Sequence, residues 1–79
     1  MTDFADNYLQ DLGLLLRERL ADAESAYNAA APEQKQYEAG RYRAYREVLN
    51  LMILQAEAFD LPLSAVRLEG IDREKDLGC

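Results

Sequence analysis

Apolar residues recur at helical spacing in two long stretches of the chain. Leu9, Leu12, Leu16, Leu20, Ala23, Tyr27 and Ala30 follow one another three or four residues apart, so one apolar stripe runs for about six turns at 3.6 residues per turn. Ala5, Tyr8 and Leu15 flank it. A second seam, Tyr42, Tyr45, Leu49, Met52, Ala56 and Phe59, alternates spacings of three and four, the 3.5-residue repeat of a helix that packs along its length. Val48, Leu51, Ile53 and Leu54 lie away from that seam and make the middle of this helix apolar almost all round, unlike an ordinary surface helix. Such a helix is expected to meet more than one neighbour, and the rest of the chain to pack against it.

The breaks between these stretches set the order of elements. Thr2 and Asp3 are candidate N-caps and Asp6 falls in the first turn, where the helix dipole favours a carboxylate, so the first helix is predicted over about 3–30. Pro32 pushes Ala31 out of the helical region while suiting the first helical position itself, which predicts a turn at about 31–32 and a second helix over about 32–59. A connection this short joins antiparallel neighbours. Folding about residue 31 sets Ala23, Ala26 and Ala30 against Tyr37, Gly40 and Ala44, and Leu9, Leu12 and Leu16 against Val48, Met52 and Ala56: small residues near the loop, large ones at the open end. Gly13 interrupts the first helix at a cost of about 1 kcal/mol relative to alanine. It either permits a close helix approach or is simply tolerated, and tolerance is the favoured reading. Leu61, preceding Pro62, ends the second helix near Asp60. Leu63, Val66 and Leu68 then predict a short helical turn, about 62–68, folded back over Leu9, Leu12, Met52 and Phe59 at the open end, with Ile71 as a last anchor. The charged stretch 72–79 is expected to fray.

At 79 residues the chain is a single domain, 1–79, whose core is marginal without a staple. The single cysteine, Cys79, excludes an intrachain disulfide, and neither a histidine nor a cysteine pair offers a zinc site. Oligomerisation is the staple that remains. No basic segment followed by an apolar one opens the sequence, and the longest uninterrupted apolar run, Leu51–Leu54, falls far short of the roughly 20 residues that span a bilayer. A soluble, cytoplasmic protein with no membrane contact is expected, its Cys79 thiol free in a reducing compartment.

The net charge of −6 is uneven. Residues 1–30 carry six acids against two bases, 31–59 balance four against four, and 60–79 set five acids against three bases. An acidic chain repels nucleic acid at long range. Arg41, Arg43 and Arg46 interleave with Tyr42 and Tyr45, types that grip phosphates and stack on bases. Yet Arg43 and Arg46 fall on the outward face of the helical wheel, Arg43 four before Glu47, so an ordinary solvated face explains them better. Arg19 and Arg41 lie close to the apolar stripes, where a charge is costly unless paired; Asp22 and Glu38 are the expected partners in a buried or half-buried network between helices or between subunits, the alternative being an arginine that anchors a ligand in a groove. The acids Asp3, Asp6, Asp11, Glu18, Asp22 and Glu24 form a row along the first helix, and the like charges of Glu18 and Asp22, four apart, gain a purpose if a cationic surface docks there. Acid–base catalysis needs a concave, partly apolar site to split carboxylate pKa values, which a hairpin hardly offers. Asp72, Glu74 and Asp76 lack the glycine-centred loop and bidentate glutamate of a calcium hand. No nucleophile motif, phosphate-binding glycine loop or metal box is present. No enzyme activity, catalytic residue, metal or cofactor is therefore expected.

The segment GRYRAYREVLNLM, Gly40–Met52, resembles the second helix of short bacterial and prophage-type helical-hairpin proteins, and Phe59–Leu68 is similar too. The resemblance covers under half the chain, implies a hairpin and brings no activity with it. The fold class expected is all-α: an antiparallel two-helix hairpin with a short C-terminal helical turn, dimerising into a four-helix bundle because a face with Leu51, Ile53 and Leu54 would otherwise be an exposed apolar patch. Leu49, Leu51, Met52, Ile53, Ala56 and Phe59 are the candidate dimer interface, and Asp11, Glu18, Asp22, Arg43 and Arg46 the candidate partner-binding residues. The leading functional expectation is a non-enzymatic dimeric scaffold or adaptor that binds another protein. The alternatives are an acidic inhibitor or nucleic-acid mimic occupying a basic partner, and a Rop-like bundle that binds RNA through Arg43 and Arg46.

Overall fold

Ala31 is extended, with φ −67° and ψ 157°, and Pro32 occupies the first turn of the helix that follows. The computed structural model, which describes residues 3–72 and 75 and Asp3 by its backbone alone, contains α1 (Asp3–Ala29), α2 (Pro32–Ala58) and a 3₁₀ turn, Leu63–Val66. The two helices form an antiparallel hairpin, and the turn packs back on both. The whole measures 49 × 23 × 16 Å. The Thr2 cap, the side chain of Asp3, most of the tail expected to fray and the state of Cys79 lie outside the described residues. Among those described, no helix is long and apolar enough to cross a membrane.

The chain reverses after α2 at two left-handed residues, Asp60 and, seven positions on, Arg67. The N–H of Leu61 donates to the Ala56 carbonyl at 2.8 Å and that of Asp60 to Glu57 at 3.1 Å, with Asp60 at φ 57°, the bonding pattern of a Schellman C-cap. The pattern recurs after the 3₁₀ turn: Leu68 donates to Leu63 at 2.9 Å, Arg67 to Ser64 at 3.2 Å, and Arg67 sits at φ 59°. A left-handed arginine is unfavourable by about 1–2 kcal/mol. Its effect is to deliver Leu68, fully buried, into the core.

That core consists of Leu20, Leu49, Ile53, Ala56, Val66 and Leu68, with Leu9, Leu16, Tyr42, Tyr45, Met52, Leu63 and Ile71 around it. Every member of the predicted α1 stripe is buried or half-buried, and the α2 seam holds from Tyr42 to Ala56. Two assignments on α2 are corrected. Ile53, expected on the open face, is fully buried, whereas Phe59, expected in the seam, is 73% exposed. At 100° per residue Ile53 lies only about 40° from Leu49, and Phe59 caps the helix where the chain turns away at Asp60. The facing pairs also differ, because Tyr37, Gly40, Ala44 and Val48 are exposed. Ala23, Ala26 and Ala30 do face inward on α1, but opposite them stands Tyr42, whose ring packs on Tyr27 with centroids 6.1 Å apart.

Gly13 is a further correction. It is buried, and a Cβ built on it would overlap the carbonyl group of Val66. Only a residue without a side chain lets the 3₁₀ turn lie this close to α1.

Candidate functional site

Asp11, Glu18 and Asp22 are all exposed. At 100° per residue they fall within about 40° of one another on the wheel, opposite Leu20, so they form one ridge along the outer side of α1. Arg19, expected close to the apolar stripe and paired with Asp22, is exposed and needs no partner. For Arg41 the expected partner holds, but within α2 alone and, among the described residues, not in a network between helices. Its Nη1 donates to Glu38 Oε1 at 2.9 Å, both side chains half-buried, and this hydrogen bond and charge raise the Arg41 pKa above its ordinary value.

The basic candidates separate. Arg43 is exposed as expected, but Arg46 is half-buried, with its guanidinium 4.6 Å from the centre of the Tyr42 ring and its Nε buried without a hydrogen-bond partner among the described residues. The outward direction assigned to it is therefore corrected: Arg46 belongs to a stack that runs from near the loop to the middle of α2. Lys35 completes that stack, its Nζ 4.6 Å from the Tyr27 ring centre and donating to the Tyr27 carbonyl at 2.9 Å. A cation over an aromatic face contributes about 0.5–1 kcal/mol when exposed and more when desolvated. Arg17 was missed altogether. Its Nη1 donates to the carbonyl oxygens of Arg67 at 2.9 Å and Glu69 at 3.1 Å, tying the end of the 3₁₀ turn to α1.

Of the six interface candidates, Leu49, Ile53 and Ala56 are consumed by the chain's own core and cannot contact a second molecule. Met52 is half-buried, while Leu51 and Phe59 are 59% and 73% exposed. Leu54, expected on the dimerising face though not among the six, is also exposed, as is Val48. Two depressions follow from this layout. A groove of about 330 Å³ at the open end is lined by Leu9, Leu51, Met52, Phe59, Leu61 and Val66 among others. A shallow surface of about 500 Å³ runs along the outer side of α2 over Ala44, Glu47, Val48, Asn50, Leu51 and Leu54. Leu51 belongs to both, so the apolar surface is continuous from the middle of α2 to its end.

A smaller depression of about 200 Å³ mixes Arg17, Glu24, Tyr42 and Lys75 with Leu20 and Ile71. Among the described residues no group of three side chains is placed to hold a metal ion. No protein-family model, no curated protein and no solved structure matches this chain.

Proposed function

We propose that the chain is a non-enzymatic helical scaffold that binds another protein and works as a homodimer of two hairpins. The supporting observation is the outer face of α2. Val48, Leu51 and Leu54 stand exposed there although the chain has a complete core of its own, and a contiguous apolar patch marks an interaction surface. Sedimentation equilibrium at micromolar concentration is the test. About twice the 9.0 kDa chain mass is expected; a monomer of full helicity overturns the dimeric reading.

A second reading draws on the ridge of Asp11, Glu18 and Asp22. Three exposed carboxylates on one line suit a basic protein, which the chain would occupy as an inhibitor in place of nucleic acid. Capture of such a protein should weaken steeply with salt and disappear in the variant Asp11→Asn/Glu18→Gln/Asp22→Asn; retention in that variant overturns it. The RNA-binding reading draws no support from Arg46, whose guanidinium is engaged with Tyr42.

A further inference from the structure

We propose that two copies of this chain join through the outer face of α2, with the helices antiparallel and related by a two-fold axis beside Leu51. This rests on the dimeric reading above and specifies its contact and orientation.

The face is its own complement. Ala44, Glu47, Val48, Leu51, Leu54, Gln55 and Ala58 are all exposed and lie on the side of α2 turned away from Leu49. Read in either direction this series runs small, long polar, aliphatic, leucine, aliphatic, long polar, small. A two-fold contact is isologous: if one residue meets another, the second meets the first. Centred on Leu51, antiparallel pairing sets Ala44 level with Ala58 of the second copy, Glu47 with Gln55 and Val48 with Leu54, while Leu51 meets its own counterpart. Alanines at both ends permit the close axial approach of about 8–10 Å typical of packed helices. The Glu47 carboxylate accepts what the Gln55 amide donates.

Charge selects the antiparallel sense. Arg41, Arg43 and Arg46 precede the apolar centre, Glu57 and Asp60 follow it, and no base lies between Val48 and Leu61. Arg43 and Glu57 are fourteen residues apart and share a flank of the helix. Antiparallel pairing therefore brings each Arg43 near Glu57 and Asp60 of the other copy, whereas parallel pairing sets arginine against arginine and acid against acid. A contact between the outer sides of α1 would press the ridges of Asp11, Glu18 and Asp22 together.

Cross-linking of full-length chains on a Cys79→Ser background tests this, with circular dichroism confirming the helicity of each variant. Disulfide formation requires Cα atoms about 4.4–6.8 Å apart. Leu51→Cys alone should oxidise to a covalent dimer, and Ala44→Cys and Ala58→Cys should cross-link with each other when mixed but not separately. Self-linking of Ala44→Cys and of Ala58→Cys, with none between them, means a parallel dimer and overturns the orientation. A sedimentation mass of two chains with no cross-link from any variant leaves the dimeric reading intact and overturns this face; a mass of one chain overturns both. In a second measurement, Arg43→Glu and Glu57→Arg should each weaken dimerisation by about tenfold and together restore it. Failure of the double variant to recover overturns the charge pairing.

Discussion

Replacing a glycine in a helix interior by alanine ordinarily stabilises by about 1 kcal/mol. At Gly40 nothing lies within 4 Å of the added methyl, so Gly40→Ala should follow that rule. At Gly13 the methyl would fall on the Val66 carbonyl, which is backbone and cannot swing aside. Gly13→Ala should therefore destabilise by about 1–3 kcal/mol, the range for overpacked sites. Urea unfolding of the two variants should show midpoint shifts of opposite sign, and a stabilised Gly13→Ala would mean that the 3₁₀ turn does not dock there. Arg17 gives a second check. Its bonds to the Arg67 and Glu69 carbonyls are exposed, so Arg17→Met should cost about 1 kcal/mol by thermal unfolding. Neither role was legible in the sequence. The neighbour of Gly13 is a peptide carbonyl more than fifty residues away, and Arg17 binds carbonyls that carry no mark of residue type. The Arg41–Glu38 pair was legible because both partners are side chains, three residues apart on one helix.

Both helices, their break at Pro32 and the returning turn were readable, since each depends on local signals: period, proline and the apolar triplet Leu63, Val66, Leu68. The seam gave the inward direction of α2 from Tyr42 to Ala56, but not how far burial spreads to either side of it. With Val48, Leu51, Ile53 and Leu54 added to the seam, apolar residues cover most of the wheel and periodicity no longer selects which flank is covered. That was decided by the returning segment, with Val66 and Leu68 in one buried cluster with Ile53. Ile53→Ala should accordingly cost about 2–5 kcal/mol as a buried truncation, while Tyr37→Ala, at 65% exposure, should stay within about 0.5 kcal/mol of the parent. Equal unfolding midpoints for the two would show the inward side reversed. The turn itself can be weighed by truncation. Ending the chain after Ile71 keeps Leu63, Val66 and Leu68, so the melting temperature should hardly move. Ending it after Asp60 removes two fully or nearly fully buried side chains, each contributing about 1.5–3 kcal/mol, and should lower it by several degrees; two silent truncations would mean that the turn adds nothing to the core.

At the scale of the molecule, a slab of 49 × 23 × 16 Å separates the acidic ridge of α1, which has Phe4, Tyr8, Leu14 and Leu15 exposed beside it, from the apolar outer face of α2. This division gives each side a different use. The apolar side can join copies because it is self-complementary, and joining it there turns both acidic ridges outward, where chains with a net charge of −6 each repel least. The arrangement fixes a shape. Antiparallel α2 helices centred on Leu51 lie alongside each other but staggered, because Leu51 lies nearer the end of α2 (Pro32–Ala58) than its start; the two loop ends should stand about 57 Å apart along the axis at 1.5 Å per residue, a little beyond the 49 Å of a single hairpin. Joining instead through the groove at the open end, around Phe59 and Leu61, would set the hairpins tip to tip and bring the length toward roughly double that value. Small-angle scattering on the assembled protein separates the two: a maximum dimension of about 65–75 Å is expected for the staggered side-by-side pair, and one approaching twice the hairpin length would place the contact at the groove.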